Sequence, residues 1–275
     1  MLLDNQIDIS KELMDFIKES PTAFHVVKNF STMLEKAGFI KLNERNKWKI
    51  EQGGKYYVTR NDSSIIAFQV PDNMDFYNFQ IAAAHSDSPA FKIKENPEMV
   101  EDNNYVTLNV EKYGGMLMAP WFDRLLSVAG RVIVREDSGL KPVLVNVDRD
   151  LCVIPNLAIH MNRDVNNGIK YNPQKDMIPL FGEIASKDKF DQIIANEAGV
   201  AIEDIISTDL FLYNRECGTI WGADNEFMSA PRLDDVMCAF SCIKALTDNK
   251  ENNKSVNVCA IFDNEEVGST TKQGA

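Results

Sequence analysis

The hydrophobic pattern changes texture twice along the chain. Over the first 38 residues the spacing predicts two helices. Ser10 is the candidate cap of the first. Ser20-Pro21 marks the start of the second, since proline suits the first helical turn. In that second helix Phe24, Val27, Phe30 and Leu34 fall on one stripe, and Gly38 can end it in the left-handed conformation. Strands are expected at 55–59, 64–70 and 79–84. The last, Phe-Gln-Ile-Ala-Ala-Ala, is mostly apolar, as suits a strand buried on both faces.

From about residue 93 short alternating strands take over, at 105–110, 128–134 and 141–147, separated by turn clusters at Asn103-Asn104 and 137–139. One helix, capped by Ser186 and reaching about Ala198, interrupts them. After Gly222 the first texture returns, with an amphipathic helix over 231–246 and an apolar strand over 256–262. Helices and strands flanking a β-rich stretch predict an α/β catalytic domain, residues 1–92 and 221–275, with a β-rich domain inserted over 93–220.

Charge narrows the function classes. The net charge is −12, and no Lys/Arg cluster of the kind that reads nucleic acid is present. No apolar run is long enough for a membrane span, and the first residues lack the pattern of a secretory leader. Five cysteines, with no Cys-x-x-Cys pair, fit reduced thiols in a cytoplasmic protein.

Three places could carry chemistry. His85-Ser86-Asp87 follows an apolar strand, and a His two residues before an Asp suits a metal ligand with a carboxylate that fixes its tautomer. Asp234-Asp235 opens the 231–246 helix. Asp263-Asn264-Glu265-Glu266 follows another apolar strand. Adjacent carboxylates there can divide the labour, one binding a metal and its neighbour taking a proton from a water that the metal acidifies. Two metals about 3.5–4 Å apart need a shared carboxylate, and Asp234 is the candidate. Each place also has a plainer reading, as a surface turn or as an acidic first turn that complements the helix dipole. His25, on an apolar helix, reads as a packing residue, and His160 alone as a strand or loop histidine.

In family order, the stretches Ser20-Pro21-Thr22-Ala23-Phe24-His25, Ala84-His85-Ser86-Asp87-Ser88-Pro89, Trp121-Phe122-Asp123-Arg124, Ile154-Pro155-Asn156-Leu157-Ala158-Ile159-His160, Arg232-Leu233-Asp234-Asp235 and Asp263-Asn264-Glu265-Glu266-Val267-Gly268-Ser269 resemble the aspartyl aminopeptidases, dinuclear zinc exopeptidases. The resemblance implies a phosphorylase/peptidase-like α/β/α catalytic domain with a mainly β dimerisation domain inserted. It implies that His85 binds one zinc with Asp87 orienting it, that Asp234 bridges both zincs, that Glu266 binds the second, and that Glu265 is the general base. His160 would reach from the insertion into a neighbouring subunit and stabilise the tetrahedral intermediate. The substrates would be peptides, with a lean to N-terminal Asp or Glu, and the assembly a homo-oligomer of dimers building up to a dodecamer. Zn²⁺ is the expected cofactor, with Mn²⁺ or Co²⁺ as other occupants of a carboxylate-rich site. The family continues beyond Ala275 and supplies an Asp and a His ligand there. The chain is therefore expected to be an N-terminal piece, binding zinc poorly and nearly inactive by itself, with residues 270–275 starting a further helix. Two other readings stay open: a zinc-dependent amino-acid deacylase, and a subunit that acts only in assembly.

Overall fold

The computed structural model describes residues 2–73, 78–249, 254–268 and 270–274. It divides into two compact units, Met1–Ser88 with Glu216–Ala275, and Pro89–Arg215. These switches fall a few residues before the expected 92/93 and 220/221, because the strands of the insertion begin at Ala90 and end at Asn214.

The first unit opens with helices α1 (Leu2–Lys18) and α2 (Ala23–Lys36). Helix α1 passes through Ser10, which caps nothing. The apolar positions Leu13, Phe16 and Ile17 beyond it hold the helix against the core. Helix α2 starts after Thr22 rather than at Ser20-Pro21, and the Thr22 hydroxyl bonds the His25 ring (2.9 Å) instead of a helix amide. The Phe24, Val27, Phe30, Leu34 stripe is buried, and Gly38 follows the helix at φ +85°.

Strands β1 (Ile40–Lys41), β2 (Lys55–Arg60), β3 (Ser64–Gln69) and β4 (Asn78–His85) come next. The second unit contains β5 (Ala90–Glu101), β6 (Tyr105–Tyr113), β7 (Leu125–Glu136), β8 (Gly139–Asn146), β9 (Cys152–Val153), β10 (Leu180–Glu183), helix α3 (Phe190–Ala198) and β11 (Ile205–Asn214). The chain returns to the first unit with the hairpin β12 (Thr219–Trp221) and β13 (Phe227–Ser229), helix α4 (Leu233–Asp248) and strand β14 (Ser255–Phe262).

In the first unit the sheet order is β1-β2-β3-β14-β4. Helices α1, α2 and α4 share one core with one face of that sheet, where Tyr57, Ile65, Ala67, Cys259 and Ile261 meet Ile17, Phe30, Leu34, Phe240 and Ile243. Among the described residues the unit thus has two layers, helices and sheet, where the resemblance implies three. Ile243 is fully buried there. Replacing it with valine removes one methylene and is expected to lower stability by about 1 kcal/mol in urea unfolding.

Among the described residues one expectation about this sheet is not met. Strand β4 is not buried on both faces: residues 78–83 are exposed, Phe79 by 61% and Ile81 by 68%. It pairs with β14 on one side and is an edge strand. Apolar composition reports a demand for burial, and the neighbours that would satisfy it lie at a distance in sequence.

In the second unit the order is β11-β5-β6-β10-β9-β7-β8, and a further pairing of β11 with β7 closes the ring into a barrel. Its core holds Phe91, Leu108, Leu126, Val128, Leu210 and Leu212, with Phe190 and Ile194 of α3 packed into it. Helix α3 starts at Phe190, later than a Ser186 cap implies. The Glu98 carboxylate of β5 accepts the amides of Asp188 (2.6 Å) and Phe190 (2.8 Å), and so does the capping from another strand. Among the described residues no helix is long and apolar enough to cross a membrane.

Candidate metal centre

Strands β4 and β14 run parallel, with His85 opposite Phe262. Both therefore end at one edge of the sheet, where ligands of open α/β sheets collect. His85 is the last residue of β4, and Asp263 follows β14. After it, Asn264 (φ +64°) and Gly268 (φ +62°) frame a short 3₁₀ turn over Glu265–Val267. Asn and Gly tolerate the left-handed region that such a sharp turn needs. Ser269 lies outside the described residues. Residues 270–274 do not start a helix. They fold back, with the Asp263 amide donating to the Gln273 carbonyl (2.8 Å) and Arg60 donating to the Lys272 carbonyl (2.6 Å).

Asp87 is buried, and its carboxylate accepts two successive amides of that turn, Glu265 and Glu266 (3.2 Å each). Its nearer oxygen is 3.4 Å from His85 Nδ1, while its own backbone carbonyl lies closer to that nitrogen, at 3.0 Å. A carbonyl only accepts, so Nδ1 carries a proton, and Nε2 is the nitrogen left to bind a cation in exchange for its own proton. The side chain expected to orient His85 thus has a larger task, holding the glutamate turn against the histidine.

Helix α4 supplies the third component. Its regular geometry is interrupted at Asp234 and Asp235, joined by a cis peptide bond, after Arg232 in the left-handed region (φ +57°). Both carboxylates lie toward the end of β4. His85 Nε2 is 3.4 Å from Asp234 Oδ1, 3.8 Å from Glu265 Oε2 and 3.9 Å from Asp235 Oδ2. His85, Glu265 and Glu266 each offer a ligand atom within 4.8 Å of the other two. Ser88 Oγ donates to the Asp234 carbonyl (3.0 Å), and Asp235 Oδ2 accepts the His85 amide (3.1 Å).

Five of the six predicted site residues, His85, Asp87, Asp234, Glu265 and Glu266, therefore meet at one sheet edge. His160 belongs to the other unit, in an exposed turn. His25 sits at the start of α2, held neutral with a pKa near 4, first by burial and then by the Arg232 charge. Asp235 received no role from the sequence. Its adjacency to Asp234 was visible, but its hydrogen bond to a backbone amide 150 residues away was not.

The side chains gathered here could hold a cation. Five carboxylates surround one imidazole. Burial alone would lower the His85 pKa, but the adjacent Asp87 carboxylate, supported by Asp235, pushes it up to about 9. The Glu266 carboxyl is raised by burial, opposed by the His85 charge and reinforced by Asp234, Asp87 and Glu265. One imidazole nitrogen with carboxylate oxygens is a donor set that zinc accepts. Manganese and cobalt tolerate it as well.

The chain matches the family described as "Aminopeptidase I zinc metalloprotease (M18)" over residues 16–275. It is 50% identical over 282 residues to a probable M18 family aminopeptidase 2 of Clostridium acetobutylicum, covering 99% of this chain and 64% of that protein. Among solved structures it is similar to Ape4 in its complex with Nbr1 (TM-score 0.91, 35% identity, 96% of this chain and 56% of that one). It is also similar to the S. cerevisiae mApe1 dodecamer (TM-score 0.82, 29% identity, 98% and 64%). The chain thus spans less than two thirds of the length of its Clostridium acetobutylicum relative.

Proposed function

The chain belongs to the M18 family of zinc metalloproteases, and from that premise we propose that it forms the larger part of an aminopeptidase that removes the N-terminal residue of peptides with a zinc-activated water. The observation that carries this reading is the meeting of His85 Nε2 with the carboxylates of Asp234 and Glu265, beside Glu266, at one sheet edge. In the proposed division of labour His85 would hold one zinc, Glu266 a second, and Asp234 would serve both. Zinc there would acidify the attacking water and polarise the scissile carbonyl. Asp87 keeps the His85 ring and the Glu265–Glu266 turn in register. Glu265, half-exposed at the rim, takes the proton from the water and passes it to the leaving amine.

We place the preference at N-terminal Asp or Glu. The barrel is proposed to join copies of the chain into a homo-oligomer, as the dodecameric relative suggests, with His160 serving a neighbouring copy's tetrahedral intermediate. A cytoplasmic setting agrees with five free cysteines. The three-layer α/β/α arrangement is assigned to the family-length protein. These 275 residues alone offer His85 as the one imidazole of the centre, and are proposed to hold zinc weakly and hydrolyse little.

The test uses a family-length protein carrying these residues. Aspartyl- and glutamyl-naphthylamides are expected to be cleaved, with activity lost on chelation and restored by Zn²⁺. Cleavage of acyl-amino acids in their place would establish a deacylase. A protein that assembles but cleaves neither would have a purely structural role.

A further inference from the structure

We infer that Asp235 is a positioning residue for the metal centre, fixing the backbone of His85 through a hydrogen bond that β14 cannot supply. This deepens the zinc reading above and rests on it for its functional consequence. In the parallel β4–β14 pair the Ser86 amide donates to the Phe262 carbonyl (2.8 Å). Successive strand amides point to opposite sides, so the His85 amide points away from β14, at the free edge of the sheet. No strand among the described residues takes it there. Asp235 Oδ2 accepts it instead, at 3.1 Å. The side chain is 16% exposed, against 86% for its neighbour Asp234. Two successive acids thus divide: Asp234 stands out in the open, and Asp235 turns inward to hold the strand.

Ser88 ties the Asp234 carbonyl from the β4 side. The start of α4 is therefore fastened to the end of β4 at two points, both at the interruption itself, Asp234 and Asp235. Asp235 sets where the His85 Cα sits, and with it the line from Nε2 to the Asp234 carboxylate. Its role needs an acceptor rather than a charge, which distinguishes it from a ligand.

The experiment compares Asp235→Ala and Asp235→Asn in the full 275-residue chain. Two readings are taken: amide hydrogen exchange at His85, and, in a family-length protein carrying these residues, Co²⁺ binding followed by its visible absorption. Asp235→Ala is expected to speed His85 exchange about 100-fold, with the melting temperature within a few degrees of the parent. It is expected to weaken Co²⁺ binding about tenfold or more, as loss of a ligand's support does. Asp235→Asn retains an acceptor oxygen and should keep both close to the parent. Unchanged His85 exchange in Asp235→Ala would overturn the inference. So would an Asp235→Asn variant as impaired as Asp235→Ala, since charge would then be what matters. A family-length parent that takes up no Co²⁺ would count against the metal reading, while the exchange data would still decide the positioning role.

Discussion

Replacing Asp87 with alanine is expected to have the largest effect of any single change at the centre. The carboxylate is 4% exposed and accepts the amides of Glu265 and Glu266, with His85 Nδ1 3.4 Å away. Hydrogen bonds to a charged group contribute about 1.5–3 kcal/mol each, and their removal here leaves two donors facing a small void. Partial access of water to the strand end offsets some of this, so a loss of about 3 kcal/mol is expected in urea unfolding of the metal-free chain. The consequence for metal is separate. With the glutamate turn released, Glu265 and Glu266 no longer face His85, and zinc affinity should fall about 100-fold in a competition titration. Asp87→Asn keeps the shape and one acceptor oxygen, but turns an NH₂ toward an amide donor, and should fall between the parent and alanine in both measurements. A stability change under about 0.5 kcal/mol for the alanine variant would mean that the turn holds itself.

The second large effect is on pH dependence. His85 is held at about 9 in the folded chain, against an ordinary value of 6.5. Below pH 6.5 the ring is protonated in both folded and unfolded states, and the ion pairs with Asp87 and Asp235 contribute fully. Between 6.5 and 9 the folded chain keeps a proton that the unfolded chain has released, so stability falls as pH rises, and the contribution is gone above 9. The full shift corresponds to about 3 kcal/mol, and solvent access around the half-exposed carboxylates reduces this to about 2 kcal/mol. Chemical denaturation of chelator-treated protein from about pH 6 to 9.5 measures it. His85→Gln should flatten that slope. With Zn²⁺ present the trend should reverse over the same range, because a cation at Nε2 must displace the proton and so binds better as pH rises. A metal-free chain whose stability stays level from pH 6.5 to 9 would show that the imidazole is not ion-paired in the fold.

Much of the centre was legible before the fold. His85, Asp87, Glu265 and Glu266 stand directly after apolar runs, and strand ends are where α/β sheets present ligands. The errors have a common cause. Ser10, Ser20 and Ser186 looked like helix starts because local rules assign capping to the nearest hydroxyl. Helix α1 instead ran through Ser10 on the strength of its buried face, and Glu98 took over at α3 from 92 residues away in sequence. Strand β4 reads as doubly buried because its composition is apolar, yet among the described residues it lies at the edge of the sheet.

By itself the amino-acid sequence determined the periodicities, the β-rich insertion between two α/β segments, and the short acidic motifs that mark the family. Each depends on spacing within a few residues. Only the tertiary structure decided that β4 and β14 lie side by side and parallel, that the interrupted start of α4 meets their ends, and that Asp235 rather than a neighbouring strand receives the His85 amide. The contacts of the end of β4 with α4 and with the segment after β14 join residues 150 and 178 apart, set by which apolar faces bury one another, and no local pattern encodes that choice.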